Sequence, residues 1–205
     1  MRALILNAGQ TLCVKYGFPP NSKPKCLFHC NREVLLERQI RLLREVGIND
    51  ITVLVGYKKE QIIEFAEEKN LDLKFIDSPV HTKKDCLLSL KFGLNQMKDD
   101  DDLLIVSGDC FFTRRALKAF LNTKVPLLIF ENIINCDGVY LVKIAKEKLW
   151  IRQEIDKYGH KDHVLWSLCK LLYAHNTHRI KLGDADPPYV IVDIDYYRYT
   201  NEGCS

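Results

Sequence analysis

The chain has almost no excess charge of either sign: 30 Lys and Arg stand against 27 Asp and Glu, a net of +3 over 205 residues. No global field therefore favours nucleic acid or an anionic membrane surface, and any anion site has to be local. Long apolar runs are also missing, since no stretch reaches the roughly 18 to 20 uninterrupted residues of a membrane span. The opening "MRALILNAG" is too short for a signal peptide, so a cytoplasmic protein is expected. The eight cysteines make no CxxC pair and several lie inside apolar runs, a pattern of reduced core thiols rather than disulfides. Cys26, His29 and Cys30 in "CLFHC" have no second clustered pair at zinc-finger spacing, which argues against structural zinc. Glycine is scarce in the first loop, which reads "GQTLCV" and lacks the GxGxxG that a dinucleotide-dependent oxidoreductase requires. There is no internal repeat, low-complexity linker or composition break. At 47% hydrophobic, 205 residues can bury one substantial core, and a single domain over 1–205 is expected.

What is present is a regular alternation. "RALIL" at 2–6 is a short apolar run ending in Asn7-Ala8-Gly9, the pattern of a central strand covered on both faces. "EVLLERQIRLLREVGI" places Leu35, Leu36, Ile40, Leu43 and Val46 at helical spacing, with Gly47 as the C-terminal cap. "DITVLVGY" reads as a strand, "KEQIIEFAEEKN" as a helix, "LDLKFID" as a strand, "DCLLSLKFGLNQM" as a helix and "DLLIVSGD" as a strand. Beyond residue 110, "RRALKAFL" and "HVLWSLCKLLYA" read as helices, while "VPLLIFE", "GVYLVKI" and "YVIVDIDYY" read as strands. Strands alternating with helices predict an α/β fold, a doubly wound and mostly parallel sheet flanked by helices. In such a sheet ligands sit beyond the carboxyl ends of the strands, so the segments after Gly9, at Gly56-Tyr57 and at Gly108-Asp109 should converge.

Asp109 ends an apolar strand at that edge, where it fits either a helix cap or a ligand-binding carboxylate. Asp193 and Asp195 lie two apart in "IVDIDYY", which puts both on one face of a strand. If that face meets Asp109, the cluster suits a hard divalent cation such as Mg²⁺, which prefers oxygen ligands; the alternative is a set of carboxylates bound to Arg or helix amides. Lys23 and Lys25 flank Pro24 in the loop after the first strand, where an ammonium would partner phosphate charge.

Taken in order, "LILNAG", "KPKCL", "LLERQIRLLREVGINDITVLVGYKKEQI", "LLIVSGD" and "VDID" resemble the nucleotidyltransferase family that joins an NTP to a sugar 1-phosphate or to phosphocholine with release of pyrophosphate. The likeness is strong over residues 1–110 and weaker over 136–199. It implies a nucleotide-diphospho-sugar transferase-like fold, of the glycosyltransferase-A-like type, and Mg²⁺ as the cofactor. Matched residue by residue, it implies that Asn7, Ala8, Gly9, Gln10 and Gly108 contact the nucleotide, with Asp85 and Ser89 of "HTKKDCLLSL" near it. Lys25 would meet the α-phosphate or the incoming phosphate, and Asp109 and Asp195 would hold the metal; these three are the expected catalytic residues. Tyr140 and Lys143 of "CDGVYLVK" would face the acceptor.

The family's turn is usually Gly-x-Gly-[ST]-Arg, whereas Thr11 stands here at the second Gly and Cys13 at the Arg. Lys15 would replace the lost guanidinium as a point charge. These departures leave a second reading open, a nucleotide-binding or protein-interaction module on the same fold. The expected partners are a nucleoside triphosphate and a small phosphorylated acceptor, with CTP favoured. Relatives continue past the last Asp into a helix, whereas this chain offers "YYRYTNEGCS"; a homo-oligomer or further chain would supply the missing element.

Overall fold

The computed structural model describes residues 1–9, 23–30, 32–79, 86–97, 102–122, 127–131, 139–144, 180–181 and 191–193, with backbone alone from residue 127 onward. The first half runs β1 (Arg2–Asn7), a 3-10 turn (Lys25–Leu27), β2 (His29–Cys30), β3 (Glu33–Val34), α1 (Leu35–Glu45), β4 (Ile51–Val55), α2 (Lys59–Glu68) and β5 (Lys74–Asp77). Then come α3 (Cys86–Gln96), β6 (Leu103–Ser107), β7 (Cys110–Phe112), α4 (Arg114–Asn122), β8 (Leu127–Glu131), β9 (Val139–Ile144), β10 (Ile180–Lys181) and β11 (Ile191–Asp193).

Among the described residues, seven strands form one sheet in the order β10-β8-β9-β6-β1-β4-β5. β1 is parallel to both β4 and β6, and β4 to β5; only β9 runs against its neighbours β6 and β8. The expected mostly parallel α/β sheet is therefore present. The pleat divides the core. Ala3 and Ile5 of β1, with Val53, Val55, Leu104 and Val106, join Leu36, Ile40 and Leu43 of α1 and Ile62 of α2 in one apolar cluster. Leu4 takes the opposite face, against α3: a Cβ built on Gly93 would stand 3.2 Å from Leu4 Cδ2 and 3.5 Å from Leu54 Cδ1. Glycine there lets the helix approach the sheet closely. Each buried Leu or Ile contributes about 1.5–3 kcal/mol, so the three central strands β1, β4 and β6, buried along most of their length, supply much of the core.

The helix ends follow from local chemistry. Gly47, at φ 86°, donates to Arg44 O at 3.0 Å, and Ile48 donates to Leu43 O at 3.0 Å. This Schellman closure satisfies the last carbonyls of α1. α2 closes the same way, with Asn70 at φ 51° donating to Glu67 O and Leu71 donating to Ala66 O. Asn is the side chain that tolerates this left-handed geometry best after glycine.

Two details were not expected from the sequence. A small antiparallel pair, β2 with β3, precedes α1. The segment after Asp109 is a strand, β7, and it pairs antiparallel with β11 so that Asp193 lies opposite Cys110. The helix expected from "HVLWSLCKLLYA" lies outside the described residues.

Candidate active site

The strand order fixes where a ligand would bind. From β1 the chain moves to β4 and β5 on one side, then returns to β6 on the other side of β1. The crevice beyond the carboxyl ends of β1 and β6 is thus the topological switch point of the sheet. β1 delivers Asn7, Ala8 and Gly9 to it, and β6 delivers Ser107, Gly108 and Asp109.

Gly108 welds these two ends together. Its N–H donates to Leu6 O at 3.0 Å. A Cβ there would fall 1.7 Å from Asn7 Oδ1 and 2.4 Å from Leu6 O, so no side chain fits without moving the strand. At Gly9 the opposite holds: a Cβ would meet nothing within 4 Å among the described residues. The Tyr57 N–H donates to Ala8 O at 3.0 Å and ties the end of β4 to the same edge.

Lys25 enters from the loop. Buried Pro24 presets the chain for the Lys25–Leu27 turn, and Leu27 N–H closes it on Pro24 O at 2.9 Å. Cys26 and Leu27 are buried under the turn, which leaves Lys25 on the crevice side. Its Nζ lies 3.3 Å from Asp109 Oδ2, with side-chain exposures of 22% and 31%. Ser107 Oγ donates to the other carboxylate oxygen, Oδ1. Burial alone would raise the Asp109 carboxyl, but the Lys25 ammonium, with the Ser107 hydroxyl and a backbone amide, holds it below its ordinary value. Asp109 is therefore an ionised carboxylate. Burial pushes the Cys26 thiol well above its usual range, and the negative charge of Asp109 adds to the effect.

Two buried polar atoms near this edge lack a hydrogen-bond partner among the described residues: Asn7 Nδ2 and Tyr57 Oη. An orphaned buried donor at a strand end suits an acceptor on a ligand.

The other expected site residues fall as follows. Ser89 of α3 is buried, with its hydroxyl 3.4 Å from that of Ser78, just past the end of β5. Tyr140 and Lys143 are both in β9, where odd separation puts them on opposite faces of the sheet. The register pairs Leu141 with Val106 and Lys143 with Leu104, so Tyr140 is beside the carboxyl end of β6 and Lys143 toward its amino end. Gln10, Lys15, Asp85 and Asp195 lie outside the described residues. Asp193, the last residue of β11, pairs with Cys110, the residue after Asp109.

Divalent metal chemistry fits this setting. Asp109 offers a hard, ionised oxygen donor that is part exposed. The described residues hold no cluster of three or more His, Cys, Asp or Glu. Mg²⁺ is commonly held by one or two carboxylates and completed by substrate phosphates and water.

One residue of this edge carried no signal as a site residue. Gln39 of α1 is buried and hydrogen-bonds the backbone on both sides of Gly108-Asp109. A glutamine inside an apolar stripe was the clue available in "LLERQI".

Comparison with known proteins agrees with this geometry. The profile of the MobA-like NTP transferase domain matches residues 3–126, more than half of the chain. The chain belongs to this family. Choline-phosphate cytidylyltransferase of Streptococcus pneumoniae is 42% identical over 77 residues, covering 38% of this chain and 33% of the relative. CTP:phosphoglutamine cytidylyltransferase of Campylobacter jejuni is 27% identical over 139 residues, covering 63% of this chain and 51% of the relative. The alignments thus span a third to a half of these curated relatives. The solved structure of CTP:phosphocholine cytidylyltransferase from Streptococcus pneumoniae superposes with a TM-score of 0.65 at 19% identity, covering 98% of this chain and 97% of that one. At that identity the superposition establishes the fold, which is the nucleotidyltransferase fold expected from the sequence. No helix among the described residues is long and apolar enough to cross a membrane.

Proposed function

We propose that the protein is an NTP transferase that moves a nucleoside monophosphate, preferably CMP, from the triphosphate to a small phosphorylated acceptor such as phosphocholine or a sugar 1-phosphate. The observation that carries this reading is the Lys25–Asp109 pair, 3.3 Å apart at the switch-point crevice of a MobA-like NTP transferase domain. The preference for CTP rests on the names of the two cytidylyltransferase relatives.

An anionic acceptor oxygen attacks the α-phosphorus in line. A new bond forms between acceptor oxygen and α-phosphorus, the bond to the bridging β-oxygen breaks, and pyrophosphate leaves with that electron pair. The nucleophile is already an anion, so no general base is needed, and positioning with charge neutralisation carries the catalysis. Lys25 turns from Asp109 to the α-phosphate oxygens and offsets their growing charge. Backbone amides of the Ala8–Gln10 stretch contribute donors to the phosphates. Asn7 donates its unpartnered amide to the nucleotide, and Lys15 adds positive charge beside the leaving group. Mg²⁺, held by Asp109 and Asp195, would neutralise phosphate charge when bound. Tyr140, in β9 beside the carboxyl end of β6, would contribute to the acceptor site together with Lys143.

Thr11 and Cys13, at positions where the family usually carries Gly and Arg, favour a second reading: a domain that binds nucleotide without turnover. The two separate in one experiment. The protein is incubated with CTP, UTP, GTP or dTTP, Mg²⁺ and a panel of phosphorylated acceptors, and pyrophosphate is measured. Release with CTP and one acceptor class is expected. No release in any combination, with CTP still raising the melting temperature, would leave the binding domain.

A further inference from the structure

Gln39 lies in the apolar stripe of α1 and is 1% exposed. An amide at such a depth is destabilising unless its polar groups are paired. Its Nε2 donates to Ser107 O at 3.0 Å and to Cys110 O at 2.7 Å. Both N–H groups of one carboxamide are thus used on the two carbonyls that bracket Gly108-Asp109. The reversed amide would set an acceptor against two acceptors, so the backbone dictates its orientation, and Oε1 is left without a partner among the described residues. The adjacent Arg38 strengthens the attachment: its Nη2 donates to Phe112 O at 3.4 Å and its guanidinium lies 4.6 Å over the Phe111 ring. α1 therefore grips the chain on both sides of Asp109 through backbone carbonyls.

We propose that Gln39 is a positioning residue for Asp109, holding the Ser107–Cys110 turn in the one shape that presents the carboxylate to Lys25 and to a divalent metal at the crevice. Its catalytic consequence rests on the proposed function; the clamp itself does not. A Leu or Met of similar size would fill the stripe but take this donor away from the Ser107 and Cys110 carbonyls. The amide therefore contributes to stability as well as to the shape of the turn, and the test has to separate the two.

The test compares Gln39→Met, similar in volume but without donors, with the wild-type full chain. Gln39→Asn keeps the amide but shortens its reach, and serves as a second variant if Met packs poorly. Melting temperature, kcat and KM for CTP, Mn²⁺ binding by electron paramagnetic resonance and hydrogen exchange at the Gly108–Cys110 amides are measured. With the fold intact, kcat and Mn²⁺ affinity should each fall by about 10-fold or more, the range seen when a supporting hydrogen bond behind a metal ligand is removed. KM should move less than about twofold, as expected when uniform substrate binding is untouched. Exchange should quicken at Gly108–Cys110 and stay unchanged across β1 and β4. Wild-type kcat and Mn²⁺ binding in a folded Gln39→Met, or exchange at 108–110 that does not change, would overturn the proposal. If the wild-type chain neither releases pyrophosphate nor binds Mn²⁺, the proposed function fails, and the exchange measurement alone then decides whether Gln39 clamps the turn.

Discussion

Replacing Gly108 with alanine adds a single methyl group at the point where the carboxyl ends of β1 and β6 meet. The new Cβ would stand 1.7 Å from Asn7 Oδ1, 2.4 Å from Asn7 Cγ and 2.4 Å from Leu6 O. The Asn7 side chain can rotate away, whereas Leu6 O is backbone of a strand paired on both sides and already accepts the Gly108 N–H. Relief must come from displacement of β6 itself. Overpacking of this kind destabilises by about 1–3 kcal/mol, and the rigid partner argues for about 2–3 kcal/mol here. For a chain of this size that corresponds to a fall in melting temperature of about 5–10 °C. Urea denaturation and thermal melts would measure it. Asn7→Ala combined with Gly108→Ala should recover about 1 kcal/mol, since one of the two clashes is removed, and a double-mutant cycle reads that coupling directly. A Gly108→Ala variant within about 0.5 kcal/mol of wild type, the range of an ordinary surface substitution, would refute the close approach of the two strand ends.

Lys25→Ala and Asp109→Asn should each lower pyrophosphate release by at least about 100-fold, the effect of losing one preorganised charge contact; unchanged rates in folded variants would remove both from the mechanism. The Asp109 carboxyl is held below its ordinary value of 3.8 in the fold, so its stabilisation is present above that pH and is lost as pH falls through the lower folded value. Urea midpoints between pH 3 and 7 should therefore fall on the acid side more steeply for wild type than for Asp109→Asn, and equal slopes would contradict the ion pair. Cys26, Cys30 and Cys110 are buried, and burial raises the Cys26 thiol. Peptide mapping after brief labelling with a thiol reagent at pH 8 should find these three unmodified in native protein and modified in urea; native labelling of Cys26 would show that the Lys25–Leu27 turn opens.

The parallel core was legible because its signals are local. The apolar run ending at Asn7, the 3.6 spacing of Leu36, Ile40 and Leu43, and Gly47 as a helix stop each depend on a few neighbouring residues, and each matches the observed element. Asn70 stops α2 by the same left-handed geometry, but an asparagine at a helix end is a weaker signal than a glycine. The crevice was legible in outline, since a parallel alternation puts ligands beyond the carboxyl ends of the strands and the motif order singled out Lys25 and Asp109, whereas the strand order itself came from the structure. What was not legible depends on pairing between distant segments. β7 is three residues whose strand character comes from β11, some eighty positions later, and no pattern within "CFF" announces it. Gln39 was visible only as a polar interruption of an apolar face, and its meaning required the two carbonyls it meets. The distinction between Tyr140 and Lys143 likewise required the register of β9 on β6.

The β7–β11 ladder has a consequence for how the molecule is made. Closing a loop of about eighty residues carries an entropic penalty of roughly 4 kcal/mol before any contact rewards it. A chain emerging from the ribosome can build β1, β4, β5 and β6 with their helices well before residues 191–193 leave the exit tunnel. The edge beside Asp109 would then be completed late in biosynthesis, after the strands and helices of the first half have packed.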